Sequence, residues 1–226
     1  MSGPRALLVA FGLVGAVDLA ALAVGSDAGH MVAKPLSMPL LAAWAAAHRA
    51  PRPLVAALLF GWGGDVLLLS GAEPAFLAGM ASFAAGHVCY LLLFRTHGSR
   101  YAVPYARAAA LAIGYVTVLG ATVVLLWPDL PAGLRLPVAA YSLLLTAMAY
   151  RSALRLGLFA GAGGALFLLS DTLIATDLAG WPQPPAPGLW VMLTYLVAQA
   201  LLACGTVAAL NARRAPAVTY GEMRAV

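Results

Sequence analysis

Charge is scarce in this chain. Only 9% of its 226 residues are Asp, Glu, Lys or Arg, whereas 63% are apolar, and the mean hydropathy is +0.91. A water-soluble domain carries about 25% charged residues, so the composition indicates an integral membrane protein. Cysteine is limited to Cys89 and Cys204, both inside apolar runs and without a C-x-x-C, which argues against a disulfide framework or a cysteine zinc site. The apolar runs are continuous rather than alternating, which argues against a transmembrane β-barrel. No G-x-S-x-G elbow, H-E-x-x-H or P-loop is present, so Ser70 and Ser170 have no histidine partner at a defined spacing. No basic patch alternates with stacking aromatics, so the net charge of +5 is no nucleic-acid footprint.

What remains is a set of apolar runs of roughly 20 residues, each long enough to span a bilayer as a helix. Eight are predicted, near 5–24, 31–47, 53–71, 74–94, 104–127, 134–150, 157–178 and 189–210; the second and sixth are the shortest. The expected fold is therefore an all-α membrane protein, one helical domain over 1–211 followed by a tail from 212 to 226. Arg5 and the A-x-A of Ala21, Leu22 and Ala23 resemble a signal peptide, but Asp18 and the length of the run favour a retained span.

Arginine orients the bundle. Arg5, Arg49, Arg52, Arg95, Arg100, Arg107, Arg151, Arg155, Arg213, Arg214 and Arg224 fall on one side, while Asp27, Glu73, Asp129 and Asp177 collect on the other with Arg135 and Lys34. By the positive-inside rule both termini are expected in the cytosol. The Ala/Gly/Arg-rich, lysine-poor composition suggests a bacterial source and the cytoplasmic (inner) membrane.

Two aspartates lie within spans: Asp65 in GWGGDVLLLS and Asp171 in GAGGALFLLSD. A carboxylate in hydrocarbon persists only with partners, water or a task. Each is expected about 20 Å from the arginine side, at 1.5 Å per helical residue. Spans three and seven are both glycine-rich and four helices apart. That spacing fits two parallel four-helix repeats; chance clustering of glycine is the other explanation. Gly61, Gly63 and Gly64, with Gly157, Gly161, Gly163 and Gly164, would let the two aspartate helices approach closely.

Other polar groups sit at membrane depth: Asp18, Lys34, His87, Tyr141, Tyr195 and Gln199. Lys34 opens KPLSMPLL, where Pro35 and Pro39 are expected to interrupt the helix and turn Lys34 to the interior; the alternative is snorkelling to headgroups. His87 shares a face with Phe83 and Tyr90, and is expected to orient a carboxylate or water. A divalent ion on Asp65, Asp171 and His87 is the lesser reading, since the remaining histidines, His30, His48 and His97, fall at predicted membrane edges. Tyr195 and Gln199 are four apart, on one face, and Gln199 must turn inward to satisfy its amide.

Paired carboxylates in a poorly hydrated site share charge reluctantly, so one keeps a proton while the other is ionised. That is an acid beside a base or charge stabiliser. The same physics also describes a proton-coupled carrier, and the residues alone leave both open.

Together, KPLSMPLL (34–41), Gly64-Asp65, the F-x-x-G-H-x-x-Y of Phe83, Gly86, His87 and Tyr90, Ser170-Asp171, and the Y-x-x-x-Q of Tyr195 and Gln199 resemble the YhhN-like lysoplasmalogenase family over residues 30 to 205. Gly61 and Thr172 depart from the hydroxyl residue and the serine expected there. The resemblance implies an eight-span hydrolase of the lysoplasmalogen vinyl ether, with a lysophospholipid substrate and no cofactor or metal. It also implies Asp65 and Asp171 as the acid/base pair, and Lys34 near the phosphate.

Overall fold

A computed structural model describes residues 3–98 and 103–214; Arg100, Arg224 and the expected tail beyond 214 lie outside them. Eight helices follow in order: α1 (Gly3–Ala23), α2 (Asp27–Ala47), α3 (Arg52–Leu68), α4 (Glu73–His97), α5 (Tyr105–Leu126), α6 (Ala132–Arg155), α7 (Leu158–Leu178) and α8 (Pro187–Arg214). No strand occurs among the described residues. Six of the eight are long and apolar enough to cross a membrane. The other two are α2, which carries Asp27, His30 and Lys34, and α3, which has 17 residues.

The helix boundaries have local causes. Glu73 opens α4 while Arg95 and His97 close it, matching the positive and negative ends of the helix dipole. Gly157 starts α7 with φ of 86°, a conformation that a side chain would strain. The sixth helix, expected to stop at 150, continues to Arg155. Its last turns carry Arg151 and Arg155, which a hydropathy reading cuts off although they are good helix formers. Likewise α8 continues through Ala212 to Arg214.

The expected interruption at Pro35 and Pro39 does not occur, and α2 is one continuous helix with both prolines inside. Each proline removes one amide donor, but helix bonds on either side and packing against α1 and α3 hold the backbone in register.

Seven helices form a ring in which α1, α2, α3, α4, α6, α7 and α8 pack each on the next, and α8 returns to α1. α5 lies outside the ring against α6, with only Leu126 buried. An all-round apolar helix of this kind faces lipid. The core centres on Met38, Leu58, Leu93, Phe94, Met148, Phe167 and Leu202.

Glycine sets the closest approaches. A Cβ on Gly163 would sit 2.8 Å from the Ala198 carbonyl oxygen and 2.9 Å from the Leu202 nitrogen, both backbone atoms of α8. Gly163→Val must therefore push α7 from α8. It is expected to cost about 1–3 kcal/mol by overpacking, read as a lower Tm in detergent.

Arg135, the arginine on the acidic side, is accounted for locally. It donates to the carbonyl oxygens of Leu130 and Pro128, each at 3.1 Å, and so caps the α5–α6 turn.

Candidate active site

The site lies at the end of the bundle where α1, α3 and α7 finish and α2, α4, α6 and α8 begin. Asp65 is the fourteenth residue of α3 and Asp171 the fourteenth of α7, so equal runs of helix bring both to the same level. Both line one open cavity, about 850 Å³ counting the space at its mouth, walled mainly by apolar side chains from α3 to α8. Asp65 is 2% exposed. Both carboxyl groups therefore belong to the wall of the same cavity.

Each aspartate accepts a hydrogen bond from a tyrosine on another helix. Tyr195 of α8 donates to Asp65 Oδ2 at 2.8 Å. Gln199 Nε2, one turn further along α8, donates to the Tyr195 oxygen at 3.4 Å. Tyr90 of α4 donates to Gln199 Oε1 at 2.7 Å. This chain spans three helices and leaves no amide end of Gln199 without a partner, which satisfies the demand that hydrocarbon makes of a buried amide.

On the other side, Tyr141 of α6 donates to Asp171 Oδ2. His87 Nε2 lies 3.0 Å from the Tyr141 oxygen. Its other ring nitrogen, Nδ1, is buried and has no partner among the described residues. Phe167, one turn before Asp171, stands edge-on to both His87 and Tyr195, with ring centroids 4.8 and 5.4 Å away. It separates the two hydrogen-bonded chains with an apolar wall.

Glycine admits the network here too. A Cβ on Gly61 would lie 3.1 Å from both Gln199 Nε2 and the Tyr195 oxygen, so the bare backbone of α3 lets that pair approach Asp65. This accounts physically for glycine where a hydroxyl residue was expected.

The remaining candidates divide by position. Lys34 lines the cavity and acts electrostatically on Asp65. Tyr141 and Tyr195 line it, whereas His87, Tyr90 and Gln199 stand one layer behind. Asp18 does not reach the cavity: it is fully buried and pairs with His30 Nδ1 at 2.7 Å. His30 and Lys34 lie four apart on α2, so Asp18 also feels the Lys34 charge. Among the described residues no three His, Cys, Asp or Glu side chains group as metal ligands, so Asp65, Asp171 and His87 do not form such a set.

Sequence reasoning missed His30, Phe167, Leu119 and Thr122. Phe167 was accessible, since it stands four residues before Asp171 on the same face. His30 could be reached only by knowing that α2 folds back on α1. Leu119 and Thr122 bring the lipid-facing α5 to the cavity wall, a tertiary fact with no local signal.

The fold and cavity define a multi-pass membrane protein with two tyrosine-linked carboxylates facing one apolar chamber. The chain belongs to the YhhN family, whose sequence profile matches residues 29–206. Lysoplasmalogenase TMEM86B of Sus scrofa is 38% identical over 149 residues, covering 66% of this chain and 61% of that protein. The Homo sapiens TMEM86B is 37% identical over 153 residues, covering 68% and 60%. Lysoplasmalogenase TMEM86A of Homo sapiens is 30% identical over 171 residues, covering 71% and 68%. The chain thus spans about three fifths of the length of the pig and human TMEM86B proteins it matches. No solved structure matches the chain.

Proposed function

We propose that this protein hydrolyses the vinyl ether bond of lysoplasmalogens, releasing a fatty aldehyde and a glycerophospho-headgroup. The observation that carries the reading is the pair Asp65 and Asp171 on the wall of one apolar cavity, each oriented by a tyrosine. The names of the curated relatives support the same substrate.

The chemistry suits the pair. Vinyl-ether hydrolysis begins when a proton is added to the alkene carbon remote from oxygen, and the cation formed is shared between the ether oxygen and the adjacent carbon. A carboxylic acid supplies the proton, and a carboxylate facing that cation stabilises it until water adds, as paired carboxylates do in glycoside hydrolysis. The proton released by the water returns to the pair. The resulting hemiacetal breaks into aldehyde and alcohol.

Lys34 provides a point positive charge at the cavity wall for the substrate phosphate, while the apolar lining accepts the single hydrocarbon chain. The arginine distribution supports a cytoplasmic-membrane protein with both termini in the cytosol. The purified protein in detergent is expected to release aldehyde from a lysoplasmenyl lipid and none from its ester-linked counterpart. Absence of aldehyde across headgroups and detergents would falsify the reading and favour a carrier.

A further inference from the structure

The seams between neighbouring helices decide how the cavity can be reached. The α3–α4 seam is shut along its length. A Cβ on Gly86 would lie 3.1 Å from the Ala57 carbonyl oxygen, and one on Gly79 would lie 3.3 Å from that of Gly64. Between them Ser82 donates to the Phe60 carbonyl oxygen at 2.6 Å. The α7–α8 seam is also shut, by Gly163 in one half and in the other by Ser170, which donates to the Val191 carbonyl oxygen at 3.0 Å.

The α6–α7 seam differs. Leu156 and Gly157 alone join the two helices, which touch backbone to backbone near that turn. A Cβ on Gly161 would stand 2.9 Å from Ala153 Cα, and one on Gly164 would stand 2.8 Å from Ala149 Cα. Further along, side chains replace backbone contact: Tyr141 reaches across to Asp171, and residues of both helices line the cavity. The cavity continues past this pair to Leu119 and Thr122 of α5. Leu119 stands seven residues before the end of α5 and Asp171 seven before the end of α7, so the α5 edge is level with the carboxylate. Leu119, Thr122 and Asp171 are half-buried, whereas Asp65 is 2% exposed, which places the opening on the α7 side.

The end of the bundle above the aspartates is closed. Leu126, Leu130, Leu134, Val138 and Ala175 are buried together there, with Phe76 packed on them. Trp181 Nε1 donates to Asp129 Oδ2 at 2.8 Å and ties the loop after α7 to the turn after α5. The floor is close. The deepest lining residues are Thr146 on α6 and Leu168 on α7, five residues below Tyr141 and three below Asp171, or about 4–8 Å of helical rise. One leaflet of hydrocarbon is about 15 Å deep, half of a core of about 30 Å. A lipid tail that begins at the aspartates therefore cannot end inside. The floor also carries the Thr146 hydroxyl, buried and without a partner among the described residues, which suits water better than a methyl end.

We propose that the substrate enters sideways from the bilayer through the α6–α7 seam, and that its tail stays in the membrane against Leu119 and Thr122 of α5. This rests on the hydrolase reading above and refines its substrate: a single-chain lipid drawn from the membrane, whose tail length goes unread. In the order of the ring, α2 stands across from the α6–α7 seam. A lipid with its phosphate at Lys34 and its tail at α5 lies across the cavity, with its ether beside the aspartates. Leu119 and Thr122 then determine which tails can pass.

The test uses the full chain in phospholipid nanodiscs, with lysoplasmenyl lipids of about 12 and about 18 alkenyl carbons, both longer than the cavity. At equal mole fraction in the bilayer, kcat/KM for aldehyde release should agree within about threefold, since hydrocarbon left in lipid gains nothing on binding. Leu119→Trp narrows the opening and should lower kcat/KM about 10-fold on both lipids. Val124→Trp, at a 71% exposed position of the same helix, should leave it unchanged. A saturated alkyl-ether lysolipid with a diazirine at mid-chain has no vinyl bond to cleave, and should label the Tyr105–Leu126 segment.

Labelling confined to Leu145, Thr146 or Leu168, a sharp preference for the shorter tail, or a folded Leu119→Trp with full activity overturns the sideways route and leaves the hydrolase reading standing. The labelling needs no variant, so it decides even where Leu119→Trp does not fold. A wild type that releases no aldehyde from either lipid overturns the hydrolase reading itself, and with it the substrate named here.

Discussion

Asp65→Asn and Asp171→Asn should each reduce kcat for aldehyde release by about 10²- to 10⁴-fold, the range that a positioned acid or base supplies. Asparagine keeps the size of the side chain and can still accept from Tyr195 or Tyr141, so both variants should fold and purify like the wild type. What they lose is charge and the exchangeable proton. The double variant should be little worse than either single one, because the two carboxylates act on one barrier as a unit. A single variant that keeps more than about a tenth of the activity while remaining folded would remove that aspartate from the chemistry.

Lys34→Met should raise KM by about 10- to 100-fold with a much smaller change in kcat. A charge-assisted bond is worth about 1.5–3 kcal/mol, and the phosphate is bound equally in ground and transition states. Methionine retains the length and apolar stem while removing the ammonium. The measurement is a substrate titration in mixed micelles, with an alkenyl glycerol lacking phosphate as comparison. That comparison lipid should be nearly indifferent to the substitution. Equal losses on both lipids would place Lys34 in the chemistry or in stability, through Asp65 and Asp18, rather than in phosphate recognition.

Much of the architecture was readable because a membrane protein has so few polar residues. Each apolar run needs to be a helix to satisfy its own backbone, so helix number and approximate length follow from hydropathy alone. Depth was readable too, since helical rise converts residue count into distance and places Asp65 and Asp171 at one level. What hydropathy could not supply is rotation about each helix axis and the identity of partners far apart in sequence. Tyr90 meets Gln199 across a separation of 109 residues and His87 meets Tyr141 across 54, through ring packing that no local pattern records. Asp18 illustrates the same gap. It carried the same intramembrane signal as Asp65, yet its helix turns it toward His30 and away from the cavity. The misreading at Pro35 and Pro39 has another origin, because the rule for an isolated helix ignores the support of flanking helices.

Those two prolines also bear on how stiffly the cavity is built. The amide hydrogens they lack would have reached the carbonyls of Met31 and Pro35, so two rungs are missing from the α2 ladder on either side of Lys34. Bending of a helix concentrates at such gaps. Compliance in this wall is therefore focused within a turn of the ammonium, while α7 and α8, which touch backbone to backbone at Gly163, have none to spare.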